Sequence, residues 1–239
     1  MKTTNPVILV HGYDYDPSDP DHSPAKPGGF FNALSDQVNP DRTCIPFPWY
    51  SGRKIHDLGK AWGSGYLTTY SWAYQELAEV AAMQLATLRT EQQASIICHS
   101  LGSRVVLKVL DEYPNWFRMV IFLNGAETVE KARPIIKKNK WTRFLNVSVS
   151  TDDVLGKLGA WFEPEFGKHH CIGYRGIGLN QDNLFEVQLD DQGIQQHFKS
   201  VYGFNLKGDN PKSIGDHRYS YLHSGNWDLY RHFLNHGEV

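Results

Sequence analysis

The chain is poor in cysteine and has no long apolar run. Its three cysteines, Cys44, Cys98 and Cys171, are far apart and odd in number. That spacing excludes a disulfide framework and a Cys-x-x-Cys metal site. The longest aliphatic and aromatic runs, such as 119–123, are far below the roughly 20 apolar residues of a spanning helix. The opening Met-Lys-Thr-Thr-Asn-Pro has no apolar core and no small-residue cleavage pattern of a secretory signal, so a cytoplasmic location is expected. Charge is nearly balanced, 24 basic against 26 acidic side chains for a net of −2. No basic excess points to a nucleic-acid backbone or an anionic membrane, so neither is expected as a partner. Internal repeats and low-complexity tracts are missing as well.

What is present is an ordinary globular composition. Of 239 residues, 41% are hydrophobic and 21% charged, which argues against intrinsic disorder and allows a full layered core. Aromatics are heavy at 13%, seven of them Trp. Short β-branched runs alternate with helical stretches. Strands are expected at 7–10, 43–47, 95–98, 119–124, 144–150 and 184–189. Helices are expected at 71–89 (with Leu77, Val80, Ala81 and Leu85 at helical spacing), 101–113 before Pro114, and 226–235. Such alternation predicts an α/β fold with a mainly parallel sheet and helices on both faces. One domain, 1–239, is expected, with no separate cap domain. Two long loops stand out as candidate lids: 14–28, in a stretch carrying Pro17, Pro20, Pro24 and Pro27, and 51–70, rich in Gly and aromatics. The pattern dissolves over 156–215.

The sharpest local feature is Ile96-Ile97-Cys98-His99-Ser100-Leu101-Gly102. A buried strand runs into a helix with almost no connector, and a serine stands at the corner. Such a turn is strained and presents the hydroxyl at the helix N-terminus. Positions two before and two after must be small because strand and helix backbones approach there. Gly102 satisfies this fully; Cys98 stands where the Gly-x-Ser-x-Gly pattern has glycine. The plainer reading of Ser100 is a helix cap.

This segment resembles the α/β-hydrolase superfamily, in particular lipase- and esterase-like members with a His-Ser-Leu-Gly elbow. Three further segments lie in the family's chain order. After the first strand, His11-Gly12-Tyr13 resembles half of an oxyanion hole: Gly12 lets the backbone turn, and the Tyr13 and Leu101 N–H groups would face the developing charge, each donor being worth about 3–4 kcal/mol. Thr151-Asp152-Asp153-Val154, at the end of the fifth strand, resembles the acid position and selects Asp152, with Asp153 as its alternative and Asp190-Asp191 a competing pair. Gly215-Asp216-His217-Arg218-Tyr219, before the last helix, resembles the loop of the base and favours His217, with His223 as the alternative. The resemblance implies that Ser100 attacks an acyl carbon, His217 shuttles the proton and Asp152 holds the imidazole. It implies a serine hydrolase, foremost a carboxylesterase, acting on a small-molecule ester or acyl substrate without cofactor or metal. Thioester, amide, lactone or C–C bond cleavage would use the same residues, and a binding module that has lost activity is the non-enzyme alternative.

Trp49, Trp62, Tyr66 and Tyr70 fall in or beside the loop after the second strand, and Trp161 and Phe162 follow the acid strand. Trp49, Trp62, Tyr66 and Trp161 are the candidate walls of an apolar pocket; packing of the loops is an equal reading. His169-His170-Cys171 has metal-ligand residue types without a second cluster at ligand spacing. The glycine groups near 63–65 and 173–178 lack the strand–helix context of a dinucleotide site.

Overall fold

The computed structural model describes residues 5–12, 15–16, 18–21, 23–38, 42–51, 66–88, 90, 93–158, 170–208 and 217–239, with the backbone alone at 66–75, 157 and 158. Six strands form one sheet: β1 Val7–Val10, β2 Cys44–Phe47, β3 Ser95–His99, β4 Met119–Leu123, β5 Arg143–Ser148 and β6 Leu184–Gln188. Their spatial order is β2-β1-β3-β4-β5-β6, and every pairing is parallel. The helices are α1 Phe30–Val38, α2 Tyr66–Thr87, α3 Gly102–Glu112, α4 Val129–Lys138, α5 Ile172–Arg175, α6 Gln192–Tyr202, α7 Tyr219–Leu222 and α8 Trp227–His236, with a π-helical turn at Val154–Leu158. The architecture is an α/β one, a six-stranded, all-parallel sheet with helices on both faces.

The strands sort their side chains by the two-residue period of a pleated strand. In β1, Ile8 and Val10 join one apolar layer, whereas Val7 and Leu9 join the other. The first layer is closed by α2, α3 and α4 through residues such as Leu85, Val105, Val106, Val109 and Ile136. The second is closed by α1, α7 and α8 through Phe30, Leu34, Tyr221, Trp227, Tyr230 and Phe233. Each fully buried Leu, Ile or Val contributes about 1.5–3 kcal/mol. The central strands β1, β3 and β4 are buried at every residue, which explains their continuous apolar runs. At one edge, β2 is less enclosed and carries Pro46 opposite Leu9.

Several boundaries and elements differ from expectation. Val80 is 48% exposed, and among the described side chains of α2 the buried ones are Ala78, Ala81, Ala82 and Leu85. The first helix, α1, follows directly on the proline-rich loop and is an addition to the helices the sequence pattern predicts. The fourth, α4, holds Pro134 in its interior, a residue that argues against a helix in sequence. Thr128 opens it by accepting from the Lys131 N–H, and Glu130 and Lys137–Lys138 complement its dipole. In 156–215, α6 buries only Phe198, so its apolar stripe is too thin to read. The Trp62 part of the candidate lid 51–70 lies outside the described residues, and 66–70 belongs to α2. Among the described residues no helix is long and apolar enough to cross a membrane.

Candidate active site

Strand β3 is Ser-Ile-Ile-Cys-His, buried throughout, and ends one residue before Ser100. Ser100 has φ 52°, in the left-handed region. An L-residue pays about 1–2 kcal/mol there, so surrounding bonds must impose the conformation. They do. The Ser100 N–H donates to the Leu123 carbonyl at 3.1 Å, and the Ser100 carbonyl accepts from the Ser103 and Ala126 N–H groups at 3.0 and 2.9 Å. The Ser103 hydroxyl adds a third bond to that carbonyl at 2.8 Å. Helix α3 then starts against the end of β1. A Cβ on Gly102 would stand 2.6 Å from the His11 carbonyl oxygen and 2.7 Å from that of Val10, so this position admits only glycine without a backbone shift.

Gly12 also owes its identity to space. Its φ is not left-handed; a Cβ there would lie 2.7 Å from Ser100 Cβ. The turn after β1 is therefore pressed onto the serine, a different reason from the sharp bend expected. His11 fixes that turn. The Trp49 N–H donates to its Nε2 at 3.0 Å, so Nδ1 carries the proton and donates to the Gly12 carbonyl at 2.8 Å. Trp49 stacks on the same ring at 5.4 Å, and its indole N–H donates to the His11 carbonyl at 3.0 Å. Burial pushes the His11 imidazole down to about 3, against the pull of its two backbone bonds. It is a neutral structural clamp.

Asp152, 2% exposed, follows β5. Its carboxylate takes four donors. Oδ1 accepts from the Val154 and Leu155 N–H groups at 3.0 and 3.1 Å. Oδ2 accepts from His217 Nδ1 at 2.6 Å and from Asn124 Nδ2 at 2.8 Å. Burial alone would raise this carboxyl; the His217 charge and these hydrogen bonds outweigh it and hold the group below its ordinary value. Asp190 does not approach the imidazole. It accepts from the Ser150 N–H and hydroxyl and from the Thr151 N–H, and so staples the segment that carries Asp152. Asp191 caps α6 through the Ile194 N–H. Asp153 is half-buried beside them.

Of the two histidines weighed, His217 is the one on Asp152. With Nδ1–H donated there, Nε2 is left as the acceptor; it is buried and has no partner among the described residues. His223 instead accepts from the Gly225 N–H at 3.1 Å within its own turn. His99, next to Ser100 in sequence, ties His217 to the corner. Its Nε2 donates to the His217 carbonyl at 3.0 Å, and the two rings are 4.6 Å apart. Burial first, and the His217 charge second, press the His99 imidazole well below its ordinary value. Ser100 itself is 5% exposed. Leu101 stands at the cap of α3, and no described residue accepts from its N–H.

The structure thus joins His217 to Asp152 directly, and joins His217 to the Ser100–Leu101 corner through His99. Trp49 is 3% exposed, with its polar atoms committed to His11. Tyr13, Trp62 and Trp161, and the side chain of Tyr66, lie outside the described residues. Asn124 and the linking role of His99 had no assignment from sequence. For Asn124 a faint signal exists in Asn124-Gly125, a turn dipeptide at a strand end.

No protein-family model matches the chain. No curated protein matches it. Solved structures do. A "predicted CIB-like hydrolase" from Thermoplasma acidophilum is similar at 15% identity and TM-score 0.43, over 98% of this chain and 87% of that one. Esterase PE8 is similar at 15% identity and TM-score 0.41, over 84% and 92% of the two chains. A gene product of Listeria innocua is similar at 11% identity and TM-score 0.38, over 86% and 97%.

Proposed function

We propose that this chain is a serine hydrolase, foremost a carboxylic-ester hydrolase working through an acyl-enzyme. The observation that carries the reading is the His217–Asp152 hydrogen bond, with Nε2 of the imidazole unengaged and His217 tied to His99, the chain neighbour of the strained Ser100. In this reading Ser100 Oγ attacks the acyl carbon while His217 Nε2 takes its proton. The imidazolium so formed is stabilised by Asp152 and returns the proton to the leaving alcohol oxygen. Water then repeats the sequence on the acyl-enzyme and releases the acid. The Leu101 N–H is one donor to the oxyanion, and the Tyr13 N–H is assigned as the second. Trp62, Tyr66 and Trp161 are proposed to wall the acyl side.

Labelling with a fluorophosphonate and turnover of p-nitrophenyl acetate test the proposal together. Wild-type protein should label and turn over; Ser100→Ala should do neither. A folded wild type that fails both tests would instead be a binding module on a hydrolase fold. Labelling without ester turnover would keep the nucleophile and move the substrate to thioesters, amides or lactones.

A further inference from the structure

Asn124 directly follows β4 in the left-handed region, at φ 46°, and is 1% exposed. Its backbone N–H donates to the Val147 carbonyl at 3.0 Å, so it is anchored to β5, the strand that leads to Asp152. Two residues on, the Ala126 N–H donates to the Ser100 carbonyl at 2.9 Å. The short turn 124–126 therefore touches both the serine corner, through its backbone, and the acid, through the Asn124 amide. The turn is clamped from the other side. A Cβ on Gly173 would lie 2.2–2.5 Å from backbone atoms of Asn124 and Gly125, and the Gly173 N–H donates to the Gly125 carbonyl at 2.9 Å.

We propose that Asn124 is a positioning residue for the acid: its amide fills the second acceptor site of Asp152 Oδ2 and so aims the first at His217 Nδ1. This rests on the serine-hydrolase reading for its catalytic consequence but not for its geometry. Of the four donors on Asp152, two are backbone N–H groups of its own loop and one is the imidazole. Asn124 is the one that comes from another strand, so it sets where the carboxylate lies relative to the Ser100 corner. A side chain that merely filled space here would need no donor. A positioning amide must donate to Oδ2, and it must keep His217 in the Nδ1–H tautomer, the form in which Nε2 accepts a proton.

Two variants separate these roles. Asn124→Asp keeps the shape and replaces the donor by a second carboxylate facing Asp152. Asn124→Gly removes the side chain while tolerating the left-handed backbone, and it carries the test if the first variant does not fold. Nitrogen-15 NMR of the His217 ring reads the tautomer directly, whether or not any substrate is turned over. Wild type should show Nδ1–H. Both variants should lose that preference, and kcat for p-nitrophenyl acetate should fall by about tenfold or more with KM nearly unchanged. An unaltered tautomer in the folded variants would overturn the proposal, even if thermal stability fell. A shifted tautomer in a protein that hydrolyses no ester would uphold this placement and reject the hydrolase reading instead.

Discussion

Acidifying the solution from pH 7 to pH 5 should weaken this fold through His11 alone by about 2 kcal/mol. The imidazole is held near 3 in the folded protein, against 6.5 when exposed. Because the folded value is the lower one, the unfolded chain binds the proton first. The stabilising contribution of neutral His11 is complete above 6.5 and declines by about 1.4 kcal/mol per pH unit below it, until the folded value is reached. His99 is displaced in the same direction by burial and by His217, so it adds a loss of the same sign. Asp152 does not compensate. Its carboxyl is displaced below 3.8, so its contribution is lost only when the pH falls past the ordinary carboxylate range, below the window considered. The assay is urea denaturation followed by tryptophan fluorescence at both pH values, for wild type and His11→Asn. The variant should show a drop smaller than wild type by about 2 kcal/mol. Equal drops would mean that His11 is charged or solvated in the native state, and the clamp between Trp49 and Gly12 would have to be abandoned.

The corner at Ser100 makes a separate thermodynamic prediction. Ser100→Gly and Ser100→Ala both remove the hydroxyl, but only glycine is at ease at φ 52°. Ser100→Gly should therefore be the more stable of the two by about 1 kcal/mol in chemical denaturation; equal midpoints would show an unstrained corner. Gly102→Ala should destabilise by about 1–3 kcal/mol or more, because the added methyl meets the backbone carbonyls of Val10 and His11 rather than a movable side chain. A denaturation midpoint unchanged from wild type would contradict that contact.

How much of this was readable in sequence depended on whether a residue acts locally. The central strands were legible because burial on both faces writes an uninterrupted apolar run, as in Met119–Leu123. Ser100 was legible because strand, turn and helix are adjacent in the chain, and Gly102 marks their closest approach. His217 and Asp152 were narrowed by order along the chain, but their pairing spans 65 residues and only the packed structure supplies it. Helix α4 was hidden by Pro134, and α6 by a surface so polar that Phe198 alone is fully buried, with Ile194 partly so. Asn124 was invisible for a simpler reason: its amide matters through a carboxylate 28 positions away. Gly12 reads in sequence as the residue that lets the backbone turn, yet what requires glycine there is the nearness of Ser100 Cβ and not a special backbone angle.

The proline in β2 has a consequence for how copies of this protein meet. An edge strand with free amide hydrogens is a template on which a neighbour's chain can extend the hydrogen-bonded ribbon, which is the route to aggregates and filaments. Pro46 lies third among the four residues of β2 and is exposed, and a proline is accepted in a sheet only where its missing hydrogen is not needed by the adjacent strand. An approaching strand thus finds a gap in the donor row midway along that margin. Among the described residues the ribbon ends there, and growth by strand addition is hindered on the side of β2 that faces away from β1.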